Sequence, residues 1–130
     1  MKELFNKIIT REIPAHIIWE DDKHLAFLDI KPIQKGHALV IPKKQTDYLF
    51  AMSDADYIDL MLASKKVANF IKDKIDCKRV CVIVEGYAVP HTHIHLIPTN
   101  TEKDLKKEDR LRSVPDNYFK EMENIFGKTE

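Results

Sequence analysis

Three glycines, two cysteines and one tryptophan are all that this 130-residue chain holds of those types, and its net charge is zero. The shortage of glycine leaves no Gly/Ser-rich linker, and no repeat or low-complexity segment divides the chain. We expect a single domain over residues 1–130, long enough for a core without covalent staples. Cys77 and Cys81 fall on one strand-like run. Their Cα atoms would then lie roughly 13 Å apart, beyond the roughly 7 Å that a disulfide spans. Reduced thiols in a cytoplasmic protein are the simple reading, and without a C-x-x-C pair a cysteine metal site is not expected. No run approaches the roughly 18 apolar residues of a membrane span. Charge at Lys2, Glu3 and Lys7 breaks what a secretory leader would need. The 21 basic and 21 acidic residues cancel, which excludes the basic excess of a nucleic-acid or membrane-surface binder.

The apolar fraction of 44% and charged fraction of 32% belong to a globular protein. Leu4, Phe5, Ile8 and Ile9 recur at helical spacing, and Pro14 ends that segment. His16–Glu20 and His24–Leu28 read as strands joined by Asp21-Asp22-Lys23, a hairpin. Gly36 turns the chain into a third strand, His37–Ile41, closed by Pro42. From Ser53 to about Lys74, Tyr57, Leu60, Met61, Ser64, Val67, Ala68, Ile71 and Ile75 form one stripe of a long helix. Ser53 is its cap, with Asp56 in a weak capping box. Arg79–Glu85 reads as a buried strand. Glu102–Arg112 reads as a solvated charge run, and Asp116–Phe126 as a helix closed by Gly127. Together these predict an α+β fold: a five-stranded antiparallel sheet, one long helix and short terminal helices. Its core spans 4–98, and a charged loop with a C-terminal helix occupies 99–130.

The chemistry concentrates in Val89–Pro98, Val-Pro-His-Thr-His-Ile-His-Leu-Ile-Pro. Its β-branched and apolar residues predict a strand, and alternate side chains of a strand share a face. His91, His93 and His95 then point one way, while Thr92, Ile94 and Leu96 point into a core. Unpartnered imidazoles are costly to bury, so the row has a use. Imidazole is a common zinc ligand. Yet the outer two Cα atoms are roughly 13 Å apart, and a histidine holds zinc within roughly 6 Å of its own Cα. A site using all three demands a sharply bent strand; two of them with His37 remain an option. The other use is nucleophilic catalysis, in which one ring nitrogen attacks while the other is held by a hydrogen bond. Flanking imidazoles would then stabilise developing charge and move protons. His93, with a neighbour on each side, is the natural nucleophile, and phosphorus is the fitting electrophile.

His-Thr-His-Ile-His-Leu-Ile-Pro resembles the histidine triad (HIT) signature, His-φ-His-φ-His-φ-φ. The likeness extends upstream through Phe5-Asn-Lys-Ile-Ile-Thr-Arg-Glu-Ile-Pro-Ala15, Glu20-Asp21-Asp22, Ala26-Phe27-Leu28-Asp29-Ile30 and Gly36-His37-Ala-Leu-Val-Ile-Pro-Lys43. It is nearest to the Hint-type nucleoside phosphoramidases. The resemblance implies a homodimer with a purine nucleotide in a cleft on each subunit; the balanced charge argues against a nucleic-acid or membrane partner. His93 would attack the α-phosphorus of a nucleoside 5′-phosphoramidate or related substrate, and water would then release the monophosphate. His91 and His95 would orient and polarise, and His37 would join their hydrogen bonds. Asp29 would accept from the ribose hydroxyls. Phe5, Ile8, Ile13, Phe27 and Ile30 would line the base pocket. No metal or cofactor is implied, and the cysteines that help some bacterial relatives bind zinc are replaced here by Leu4, Phe5 and Asn6. The loop before the triad departs from the family's glycine-rich one. Gly86 and the backbone N–H groups of Tyr87 and Ala88 remain to contact phosphate, but no Gln or Ser side chain does. A dinucleoside polyphosphate hydrolase and a nucleotide-binding module without turnover are the alternative functions.

Overall fold

Strand alternation decides where the two layers of the core sit. The computed structural model describes residues 3–110 and 114–127. Its strands are β1 (Ile17–Glu20), β2 (His24–Leu28), β3 (Ala38–Pro42), β4 (Arg79–Ile83) and β5 (Ile94–Thr99). They form one antiparallel sheet in the order β1-β2-β3-β5-β4, the expected architecture. Every residue of β2 and β3 is buried, so the sheet is covered on both faces. Ala26, Leu28, Ala38, Val40, Ile94 and Leu96 share one core with Leu60, Val67 and Ile71 of α2 (Asp54–Lys74). Leu25, Phe27, Leu39 and Ile41, the alternate residues, pack with Phe5 and Ile8 of α1 (Leu4–Ile9). His95 falls on this second face because it alternates with Ile94 and Leu96.

Each helix has a local cause. The Ser53 hydroxyl accepts the Asp56 N–H at 3.2 Å, a cap that stabilises a helix by about 1 kcal/mol. The reciprocal half of the capping box is not made; the Asp56 carboxylate pairs with Lys44 at 3.3 Å instead. In α3 (Tyr118–Phe126) the buried residues are Tyr118 and Met122. The Tyr118 hydroxyl accepts the Gly36 N–H at 3.1 Å. Gly36 has φ +85°, and a Cβ there would stand 3.0 Å from the Ile75 side chain. Both facts call for glycine, and the turn sets the entry of His37 into β3.

Several expectations are corrected. β4 is not buried: it is an edge strand in which no residue is fully buried, and Val82 is 51% exposed. Its apolar composition matched a central strand, but the topology left it with one neighbour. β5 starts at Ile94, so His91 and His93 precede the strand. By continuation of the register Val40↔Ile94, Pro42 stands opposite Thr92 and has no N–H to extend the ladder. The Thr92 N–H turns to the Thr46 carbonyl at 2.5 Å. The charge run forms two 3-10 turns, Glu102–Leu105 and Lys107–Asp109, and part of it returns to the sheet; its last two residues, Leu111 and Arg112, lie outside the described residues. The C-terminal helix begins at Tyr118 rather than Asp116. Cys77 precedes β4, and it and Cys81 are free thiols. Among the described residues no helix is long and apolar enough to cross a membrane.

Candidate functional site

A cavity of about 500 Å³ opens on the α1 face of the sheet. His93 and His95 line it, with Phe5, Ile8, Ile13 and Phe27 on its apolar side and Asp29 and Ile30 at the end of β2. Gly86, Tyr87 and Ala88 border it from the loop before β5. Ile30 and Tyr87 are mostly exposed, 64% and 95%, so they contribute rim rather than wall.

The imidazoles are ordered by backbone groups. At one end, the Ile33 N–H donates to Nδ1 of the wholly buried His37 at 3.0 Å. That nitrogen is therefore unprotonated and the proton sits on Nε2, which donates to His95 Nδ1 at 2.9 Å. His95 in turn carries its proton on Nε2. Both rings are held neutral: burial, the largest effect, pushes His37 to about 3 and His95 to about 4. The neighbouring Asp29 carboxylate opposes that shift in each. At the other end, His93 Nδ1 donates to the His91 carbonyl at 2.7 Å, which leaves the lone pair on Nε2. The His93 and His95 rings are 5.1 Å apart between centroids. A lone pair on one and an N–H on the other thus border the same cavity.

His91 stands apart. It is wholly buried and does not line the cavity. The Phe5 ring packs edge-on against both His91 and His93, at 5.7 and 5.1 Å. His91 Nε2 donates to the Pro42 carbonyl at 2.7 Å, and Nδ1 lies 3.1 Å from Gln45 Oε1. Only an imidazolium donates to both oxygens, whereas burial holds His91 below its ordinary pKa. The shorter Pro42 bond is the one the neutral ring keeps. Gln45 also accepts from Asn6 at 3.0 Å and donates to the Pro90 carbonyl at 2.8 Å. One amide therefore ties α1 to the peptide whose next carbonyl orients His93.

Asp29, 7% exposed, accepts the Lys31 N–H on Oδ1 at 2.8 Å and Arg110 Nη1 on Oδ2 at 3.0 Å. His37 Nε2 and His95 Nδ1 lie 3.5 and 3.9 Å from Oδ2. Asp29, His37 and His95 thus make a compact donor cluster, but it does not suit a metal. His37 Nε2 must hold a proton while Nδ1 accepts from Ile33, and it has no lone pair to offer.

Asn6, Gln45, Lys107 and Arg110 were not singled out from sequence. Lys107 and Arg110 line the cavity, Lys107 pairs with Glu85, and Arg110 also donates to the Lys31 carbonyl at 3.0 Å. The contacts of these four residues span up to 81 residues, so no local period marks them.

The HIT domain model matches residues 10–102. The chain belongs to the HIT family. It is 38% identical over 128 residues to a HIT-like protein of Borreliella burgdorferi, covering 92% of this chain and 91% of that one. It is 38% identical over 101 residues to an adenosine 5′-monophosphoramidase of Saccharomyces cerevisiae, covering 77% and 64%. Among solved structures, a hypothetical histidine triad nucleotide-binding protein of Sulfolobus tokodaii superposes with a TM-score of 0.77 at 30% identity, covering 95% and 89%. The three HIT histidines are therefore not equivalent in this fold: two border the cavity, and the first lies behind it.

Proposed function

We propose that this HIT protein cleaves a nucleoside 5′-phosphoramidate or related nucleotidyl substrate at its α-phosphorus, through a covalent nucleotidyl-histidine on His93. The observation that carries the reading is the bond from His93 Nδ1 to the His91 carbonyl, which presents Nε2 as a nucleophile without prior loss of a proton. Attack by Nε2 forms a nitrogen–phosphorus bond as the bond to the leaving group breaks. The Nε2–H of His95 is placed to donate a hydrogen bond to a phosphoryl oxygen as charge builds there, and the departing amine takes its proton from water. Water then attacks phosphorus, the histidine leaves, and nucleoside monophosphate is released. His91 serves through its carbonyl, and His37 serves by fixing the tautomer of His95. Asp29 receives the ribose hydroxyls, Phe5, Ile8, Ile13, Phe27 and Ile30 receive a purine, and the N–H groups of Gly86, Tyr87 and Ala88 face phosphate. The named activity of the yeast relative supports the phosphoramidase reading. We also propose that the protein acts as a homodimer; the open edge and exposed Val82 of β4 give a second copy a strand to pair with.

Adenosine 5′-phosphoramidate tests the mechanism. The wild type should turn it over and, on rapid quench at neutral pH, yield an acid-labile adduct 329 Da above the chain mass, a figure of about one adenylyl group. His93→Ala should lose both adduct and turnover by at least about a thousandfold. Equal rates for the two proteins would overturn the mechanism.

A further inference from the structure

Asp29 lines the cavity, yet its carboxylate is closed to a ligand as it stands. Its side chain is 9% exposed. Oδ1 accepts the Lys31 N–H at 2.8 Å, and Oδ2 accepts Arg110 Nη1 at 3.0 Å. The same Nη1 donates to the Lys31 carbonyl at 3.0 Å. The guanidinium therefore bridges the carboxylate and the backbone just after β2, and Arg110 lines the cavity beside Asp29. A carboxylate only accepts hydrogen bonds, so a ligand engages this one through donors alone. A vicinal diol, with one O–H for each oxygen, fits that edge, but it needs both oxygens to face the cavity.

Something around Asp29 must give way before such a ligand seats. Lys31 contributes main chain. His37 is wholly buried and held by the Ile33 N–H, and His95 is held by His37. Arg110 differs: its side chain is long and 35% exposed, and a diol can take its place on the carboxylate. The segment that carries it does not rely on that bond. Gln34 Nε2 donates to the Asp104 carbonyl at 3.1 Å, and the Asp104 carboxylate accepts the Asn100 and Thr101 N–H groups at 2.7 and 3.0 Å. Lys107 is paired with Glu85, and the Arg110 N–H donates to the Lys107 carbonyl at 3.0 Å. The guanidinium can swing off Oδ2 while its backbone stays in place.

We propose that Arg110 is a plug at the sugar subsite: it holds Asp29 until the two hydroxyls of a ribose displace it, and so limits how tightly ribonucleotides bind. The proposal rests on the assignment of Asp29 to the ribose and goes beyond it by naming a residue that opposes binding. A cation beside a nucleotide cavity ordinarily attracts phosphate. Here the guanidinium is engaged at the sugar end, so its removal should strengthen ribose binding rather than weaken it. A contact present only in the empty site lowers the affinity of the ligand that breaks it. A sugar without hydroxyls has nothing to put in place of the guanidinium, so it leaves the pair intact and gains nothing from its removal.

Equilibrium binding of AMP and 2′,3′-dideoxy-AMP to the wild type and to Arg110→Gln tests this without turnover. The two ligands share base, phosphate and charge, so the ratio of their Kd values cancels the loss of one positive charge from the cavity. In Arg110→Gln the Kd of dideoxy-AMP relative to that of AMP should rise about fivefold or more, equivalent to about 1 kcal/mol. Arg110→Lys, which keeps a cation for Asp29, should stay nearer the wild type. On an Asp29→Asn background, Arg110→Gln should leave the ratio unchanged, because the plug then has no carboxylate to hold. A ratio that is unchanged or lowered in Arg110→Gln overturns the proposal, and a lowered one shows that the guanidinium helps to hold the ribose. A rise that persists on the Asp29→Asn background overturns it as well. The ribose assignment is tested separately by Asp29→Asn alone, which should lower the ratio. If it does so while Arg110→Gln fails to raise it, only the plug is refuted. If Asp29→Asn leaves the ratio intact, or if AMP binds none of these proteins, the ribose assignment falls and the plug with it.

Discussion

Acidification from pH 7 to pH 5 should destabilise this protein well before its carboxylates titrate. His37 and His95 ordinarily titrate near 6.5, and folding lowers them to about 3 and about 4. Burial is the largest cause in both. The hydrogen bonds agree with that direction. A proton added to His37 Nδ1 would face the Ile33 N–H at 3.0 Å, and one added to His95 Nδ1 would face the His37 N–H at 2.9 Å. Between the folded and unfolded pKa values the unfolded chain binds protons that the folded one refuses. Stability therefore rises with pH in that window and is lost as pH falls below about 6.5. Each such histidine loses about 2 kcal/mol between pH 7 and pH 5, from a slope approaching about 1.4 kcal/mol per pH unit. His91, also lowered by burial, adds in the same direction. The pair shares one hydrogen bond, so the sum falls short of two independent terms, and about 2–4 kcal/mol is expected. Glu20, Asp21, Glu85 and Asp104 are shifted below ordinary carboxylate values, which keeps their contribution below this window. Urea unfolding at pH 7, 6 and 5 measures the effect, and His95→Asn should remove about half of the pH dependence. Stability that is flat or increasing from pH 7 to pH 5 would refute the neutral, hydrogen-bonded pair.

Two further substitutions probe the surroundings of His93. Gln45→Ala deletes the amide joining Asn6 to the Pro90 carbonyl; kcat should fall about 10–100-fold through a displaced nucleophile, with KM nearly unchanged and a stability loss of about 1 kcal/mol in urea. Thr92 is buried at 1% exposure, and its hydroxyl finds no partner among the described residues, so the near-isosteric Thr92→Val should stabilise the fold by about 1 kcal/mol; a loss of that size would mean that the hydroxyl is satisfied by an ordered water.

Period and composition made the inner fold legible. In β2 and β3 the residues that divide between the two cores are strict alternates, and in α2 the buried Leu60, Ser64, Val67 and Ile71 follow the helical repeat. A local pattern encodes which way a side chain points relative to its neighbours. It does not encode which strand lies beside another, and there the reading failed. Val80, Cys81, Val82 and Ile83 compose a strand fit for a sheet centre, but among the described residues β4 pairs only with β5. The histidine row was read as one strand because its own residues alternate; what interrupts it is Pro42, fifty residues upstream by count from Thr92. Lys107 and Arg110 looked like solvated charge because their carboxylate partners lie far back in the chain.

The interruption at Pro42 bears directly on the chemistry. Had the strand run through His91, the three imidazoles would share one face, and the His91 carbonyl would be committed to a ladder bond. Ending the ladder at Ile94 turns that carbonyl towards His93 Nδ1 and lets His91 Nε2 take the Pro42 carbonyl instead. At the far end of the row the Ile33 N–H fixes His37, and His37 fixes His95. Two main-chain groups, one acceptor and one donor, therefore set the proton positions of the two cavity-facing rings from opposite sides. Because the groups are backbone, no substitution at His91 removes its carbonyl, and at position 33 only proline would remove the N–H. The complementary pair they leave, a lone pair on His93 and an N–H on His95, depends on where the strand stops rather than on the histidine spacing alone.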